Sequence, residues 1–286
     1  MRKISLEGII DMHVHSAPDI RKRAYTDIEL MNAAVKVKAR AVVIKSHHGT
    51  TMNRAFLVNE FNKILHKGSN NFTMFGSITL NKAVGGLNPV AVETALKMGA
   101  KVVWLPTTHA VNQLVKDGKD GNSGGIECVS DGKIVEPLRE ILRIIKDYDV
   151  ALGTAHLAPK EIFTVVEAAK NMGINKIVVT HPEFHIVGMS LEDQIKITKD
   201  YGVYLERCYA QPMGGGVYKN NLEDNLRVIR TVGYKNVLIS TDGGQVENPH
   251  WELALEEYLQ YLSDNGIDDA QLFEMSRNIP AKLLSI

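Results

Sequence analysis

The sequence is expected to fold as an α/β protein, a closed parallel (β/α)8 TIM barrel, with one domain over 1–286 and an extended loop after strand four. Two observations predict this. Eight short apolar runs recur along the chain, each followed by a segment with helical spacing, at about 25 to 35 residues per unit. The turn after the first run is His15-Ser16-Ala17-Pro18-Asp19, with no glycine. An open doubly wound sheet, the alternative, would want a glycine-rich phosphate loop there.

Strand one is Gly8 to Val14, and a helix follows with Asp27 as its cap and Leu30, Met31, Ala34 and Val35 at helical spacing. Strand two, Ala41 to Ile44, ends in Lys45-Ser46-His47-His48. The next helix, Thr51 to Lys67, is read with Phe56, Leu57, Phe61 and Leu65 as its core-facing stripe. Strand three spans about 72–80 and strand four 101–105, with a helix over 89–98 between them and Gly99 closing it.

The rhythm breaks over 108–133, which is polar and glycine-rich and includes Gly121-Asn122-Ser123-Gly124-Gly125. Loops this long inside a compact domain are uncommon and often serve as lids or binding loops. A small hairpin is expected near Asp131-Gly132. A helix over 135–147 restores the alternation. Strand five ends at His156, strand six at His181, strand seven at Glu206 and strand eight at Asp242. Helices are expected over 159–172, from about Ser190, over 222–232, 251–262 and 270–284.

The bulk composition is that of an ordinary globular protein, with 44% hydrophobic and 23% charged residues. Lys plus Arg and Asp plus Glu balance at 33 each, so no basic excess points to nucleic acid. No apolar run is long enough to span a bilayer. Met1-Arg2-Lys3 leads straight into a strand rather than an apolar signal region. Cys128 and Cys208 are far apart and fit neither metal nor disulfide spacing. The expectation is a cytoplasmic protein acting on a small molecule, with homo-oligomerisation left open.

Chemistry collects at the strand ends. His13 and His15 are spaced i, i+2, so in an extended chain they share a face and can chelate a metal. His47, His48, His109, His156 and His181 also lie at or just past strand ends. In a parallel barrel those ends converge on one mouth, where active sites are built. Histidines placed for packing alone would be spread over helices and strand centres as well.

These residues resemble the metal-ligand pattern of the amidohydrolase superfamily over nearly the whole chain. The pattern is His-X-His on strand one, a histidine after strand five, another after strand six and an aspartate after strand eight. It maps onto His13, His15, His156, His181 and Asp242. The ending Asn278-Ile279-Pro280-Ala281-Lys282-Leu283-Leu284 resembles that group's Asn-Pro-Ala-X-X-Leu. Binuclear members carry a bridging lysine or glutamate, commonly on strand four. Strand four here ends Trp104-Leu105-Pro106-Thr107, so the resemblance implies one ion rather than two. Zinc is the first candidate metal, with manganese, iron and nickel as alternatives.

The resemblance implies a hydrolase in which metal-activated water attacks a carbonyl or amidine-like carbon, in an amide, a lactone or a ring C–N bond. Asp242 and His181 would be catalytic, with Asp242 moving the water's proton. Lys45, His47, His48 and Glu206 are candidate substrate contacts, with a metal bridge from an unusual strand as the alternative role of Lys45. Asp11 is read as the partner of a ligating histidine's second nitrogen. Arg21-Lys22-Arg23 could attract an anionic substrate or form a solvated charge run. Alternatives are a mononuclear decarboxylase, a phosphoesterase that also begins with His-X-His, and a barrel that binds metal without catalysis.

Overall fold

The computed structural model describes residues 3–121 and 124–286; Asn122 and Ser123, inside the glycine-rich loop, and Met1-Arg2 lie outside it. The eight strand regions are Ile10–Val14, Ala41–Ile44, Thr73–Thr79, Val102–Trp104, Ala151–Gly153, Ile177–Val179, Tyr204–Cys208 and Val237–Ser240. Every pairing between neighbours in this series is parallel.

Two seams interrupt the ladder, one spanned by side-chain hydroxyls and the other by a single backbone bridge. Strand three splits at Gly76 into Thr73–Phe75, which pairs with strand two, and Ser77–Thr79, which pairs with strand four. A Cβ on Gly76 would lie 2.5 Å from the Met52 backbone, so only glycine admits the preceding helix this closely. Across the seam, Thr51 Oγ1 and Ser77 Oγ both donate to the Ile44 carbonyl, at 2.7 and 2.9 Å. Strands eight and one meet at a parallel bridge between Val14 and Gly243, where the His15 N–H donates to the Gly243 carbonyl at 2.8 Å. The adjoining Gly244 has φ +100, and a Cβ there would sit 1.7 Å from the His15 carbonyl oxygen.

Alternate residues of the strands fill the lumen: Ile10, Met12, Ala41, Val43, Trp104 and Val178 pack there among others. The intervening residues form a larger apolar layer against the surrounding helices. The C-terminal helix Ile279–Leu284 inserts Ile279, Ala281, Leu283 and Leu284 into the lumen cluster, which gives the Asn-Ile-Pro-Ala-Lys-Leu-Leu ending a packing role.

Several local expectations are corrected. Thr26, not Asp27, caps the first helix, in a capping box with Glu29; Asp27 instead pairs with Arg54 at 2.7 Å. The helix Met52–His66 buries Met52, Ala55, Val58 and Asn62 and turns Phe56, Leu57, Phe61 and Leu65 to solvent. Its close approach to Gly76 leaves room only for the smaller face. The long loop is partly structured, with a helix Val111–Lys116 and a two-strand hairpin Val129–Ser130/Lys133–Ile134 turning at Asp131-Gly132. A second hairpin, Ala210–Gly214 with Val217–Asn220, follows strand seven and has no counterpart in the sequence reading. The C-terminal helical run is interrupted by a π-helical turn over Glu274–Asn278.

Candidate metal centre

Alternation along strand one makes Ile10 and Met12 lumen residues, which would send His13 and His15 outward with Ile9 and Asp11. The register shift between Asp11 and Val14 reverses this: Val14 joins the outer layer and His13 enters the mouth. Such bulges commonly re-aim side chains beside active sites. Asp11 holds this one. Its buried carboxylate accepts from the His13 N–H at 3.0 Å, from Thr241 Oγ1 at 2.7 Å and from Trp251 Nε1 at 2.9 Å. Burial pushes its pKa up to about 6 against those three donors. Asp11 therefore contacts the His13 backbone rather than a histidine ring, contrary to the sequence reading.

Strands five and six break alternation differently. Leu152 and Val179 face the outer layer, and Ala155 at φ +53 and His181 at φ +28 then turn the chain so that His156 and His181 reach the mouth. Asp242 is also left-handed, at φ +50. Left-handed backbone on residues with a Cβ costs of order 1–3 kcal/mol each and clusters at functional sites. Here it falls on or beside three of the five predicted ligands.

The histidines assemble. His13 Nε2 and His15 Nε2 lie 3.1 and 3.2 Å from Asp242 Oδ1, and the three ligand atoms are within 4.8 Å of one another. The rings of His156 and His181 are 5.1 Å apart, and His181 lies 5.6 Å from His13. Glu206, expected at the substrate, is instead fully buried beneath His13, with Oε2 3.0 Å from Nδ1. A carboxylate on the far nitrogen of a histidine fixes its tautomer and raises its basicity, as around ligated metals. Cys208, two residues on and on the same strand face, brings its thiol into a group with His13 and Glu206. Its position relative to Glu206 was readable from the sequence, but no spacing rule flagged it.

Lys45 is almost fully buried, with Nζ 3.0 Å from His13 Nε2 and 4.6 Å above the Trp104 ring. Burial lowers its pKa, against the pull of Asp242 and Glu206. His47 stacks on His15 at 4.7 Å and bonds Thr107 Oγ1 at 2.8 Å; both it and the half-buried His48 line the cavity. His156 Nδ1 is 2.6 Å from Gln113 Oε1, an anchor supplied by the loop helix. His185 and Phe184 also line the mouth and lie beyond strand six, where the sequence reading stopped at His181.

Charge is divided sharply. Burial and the Arg23 guanidinium press His15 down to about 3, and burial and Lys45 press His181 to about 3 despite Asp242. Burial also holds His47 and His156 well below the usual range. Burial lowers His13 too, but Asp242 and Glu206 outweigh it and raise the ring to about 9. Burial alone would raise Asp242, yet His13 and His15 hold it well below the usual carboxylate range.

The donor set fits a divalent ion. Once a metal displaces the His13 proton, an Nδ1–H directed at Glu206 would leave the Nε2 lone pair facing Asp242 and His15. Buried His181 Nδ1 has no hydrogen-bond partner, which leaves a second nitrogen available. The cavity above these groups measures about 620 Å³, the size of a small-molecule site.

Residues 8–206 match the profile described as "Family of unknown function (DUF6282)". The chain belongs to that family. Its fold recurs in solved amidohydrolase-superfamily structures. An amidohydrolase from Pseudomonas aeruginosa is 13% identical with a TM-score of 0.65, over 98% of this chain and 97% of the other. The phosphotriesterase homology protein from Escherichia coli, with phosphate in its active site, is 13% identical with a TM-score of 0.59, over 98% and 100%. A 2,6-dihydroxybenzoate decarboxylase is 10% identical with a TM-score of 0.55, over 98% and 100%. No curated protein matches the chain. At such identities the likeness establishes the barrel fold, and the chemistry must be argued from the site.

Proposed function

We propose that this family member is a metal-dependent hydrolase acting on an amide, a lactone or a ring C–N bond of a small molecule. One observation carries the reading: the Glu206–His13 pair aims an imidazole nitrogen at His15 and Asp242 in a cavity of substrate size. His13, His15 and Asp242 would hold one divalent ion, zinc first, with His181 and His156 contributing from across the mouth. A bound divalent ion lowers the pKa of water towards about 7 and polarises a carbonyl.

The remaining roles belong to the protein. Asp242, kept ionised by its histidines, accepts a proton from the attacking water and returns it to the leaving group. Lys45 Nζ lies 3.0 Å from His13 Nε2, the nitrogen that metal ligation would use. Once released from it, Lys45 is placed to donate to the developing oxyanion. Trp104 closes the floor behind both, excluding water. His47 and His48 contact the substrate from the strand-two side.

The test has two stages. Purified protein is expected to take up close to one equivalent of zinc, manganese or iron and to gain thermal stability on binding. It should then hydrolyse a member of a lactone, amide and cyclic-amide panel, with Asp242→Asn retaining the fold and losing activity. Absence of metal uptake would overturn the reading, as would carbon dioxide release from a carboxylate panel without any hydrolysis.

A further inference from the structure

The three consecutive cations of the first loop have different fates. Arg23 is buried, paired with Asp19 at 2.6 Å and placed 3.3 Å from His15 Nδ1. Lys22 is exposed, while Arg21 lines the cavity and its guanidinium pairs with no carboxylate among the described residues. The segment after strand four contributes His109 and Lys119 to the same lining; the latter lies only loosely by Asp117, at 3.8 Å. His48 lines the same cavity. The lining also includes the apolar Ile20, Phe184, Ile186 and Met213. Asp117 and Asp242 are the only acidic residues among the described lining, against Arg21, Lys45 and Lys119. A divalent ion at the floor would raise the positive excess further, and a low-dielectric cleft focuses such a field.

We infer that the outer half of the cavity is an anion subsite formed by Arg21, Lys119, His48 and His109. The substrate then carries a carboxylate or phosphate separated by an apolar portion from the bond to be cleaved. This rests on the hydrolase reading of the floor. The probes are benzoate, phenyl phosphate and uncharged benzyl alcohol, titrated calorimetrically into metal-free and zinc-loaded protein. At least one anion should bind while benzyl alcohol does not, and the better anion names the group. Arg21→Ala/Lys119→Ala should weaken that anion at least tenfold without changing zinc content or melting temperature. Equal binding of the neutral probe, or an unaffected double variant, overturns the subsite. If no metal binds yet the anion result stands, the hydrolase reading fails and the subsite survives.

A separate observation concerns the helix Met52–His66. Its outward face carries Phe56 at 64% exposure, Leu57 at 66%, Phe61 at 40%, Ile64 at 77% and Leu65 at 49%. Met52, Ala55, Val58 and Asn62 are buried on the other side, so these five apolar residues form a second, solvent-facing apolar stripe. Taking ~200 Å² for a whole Phe and somewhat less for Leu or Ile, the five expose ~550 Å², a patch of the size that marks protein contacts. Glu60 and Lys63, on the same helix, pair with each other at 2.6 Å, so the surface asks for no charged partner. Two such faces meeting across a twofold axis bury ~1,100 Å², enough for a specific dimer.

We propose that this face is the dimer interface between two copies of the chain. Sedimentation velocity should show a dimer at micromolar concentration. Leu57→Glu/Ile64→Glu should give a folded monomer with unchanged zinc content. A wild-type monomer at 100 µM overturns the proposal, as does a dimer indifferent to the substitutions or a monomer that uses this face to sediment with lipid vesicles.

Discussion

Replacing Glu206 with Gln separates two things that Glu206 does to His13. Its carboxylate, 3.0 Å from Nδ1, orients the ring and makes Nε2 a better ligand. Loss of such an outer partner costs 10–100-fold in metal affinity, roughly 1.4–2.7 kcal/mol. The same carboxylate, with Asp242, holds the His13 proton to about pH 9. Metal must displace that proton, so at pH 7 the competition weakens wild-type binding by roughly two decades relative to the unprotonated site. Removing one of the two carboxylates lowers the His13 pKa by about one unit and relaxes the competition by about a decade. The variant should therefore bind zinc 10–100-fold more weakly well above pH 9, with a gap about tenfold smaller at pH 7. Competition against a chromophoric chelator at both pH values measures the gap. Calorimetry in two buffers of different ionisation enthalpy should count close to one proton released by the wild type at pH 7. Equal affinities well above pH 9, a gap independent of pH, or no proton release would refute this account of the pair.

Three further outcomes follow from the geometry. Asp11→Ala strips acceptors from His13 N, Thr241 Oγ1 and Trp251 Nε1, and should cost about 2–5 kcal/mol in urea unfolding together with loss of metal uptake; retained uptake would free the bulge from Asp11. Gly244→Ala combines φ +100 with a contact 1.7 Å from the His15 carbonyl, so soluble, zinc-binding variant protein would contradict the close approach between strands one and eight. His181 is held at about 3, below the ordinary histidine value of 6.5, so its contribution is fully present above pH 6.5 and lost as pH falls towards 3. Between pH 7 and 5 the metal-free wild type should lose about 2 kcal/mol relative to His181→Asn; parallel unfolding curves at the two pH values would show that burial does not keep the ring neutral.

What could be read from residues and what could not divides along physical lines. The helical and extended runs, and the polar residues ending each strand, follow from local chemistry, and they place His13, His15, His156, His181 and Asp242 near one mouth. Glu206 and Lys45 keep plain alternation with Tyr204 and with Ala41 and Val43, so their inward direction was legible too. The partnerships were not. Glu206 lies 193 positions from His13 in sequence, and no local pattern encodes that they touch. The helix Met52–His66 had two apolar faces, and the narrow approach beside Gly76 selected the smaller one.

The opening His-X-His pair shows the same division most clearly. Its spacing determined that the two rings share a face, and the sequence by itself supplied the ligand chemistry. Only the tertiary structure decided which face, because the shift that turns the pair inward is held by Asp11 through Thr241 and Trp251, more than two hundred residues away. Strands five and six depend likewise on left-handed residues whose strain the closed barrel has to sustain. Alternation is a property of one strand; where it breaks is set by neighbours that a strand's own sequence does not contain.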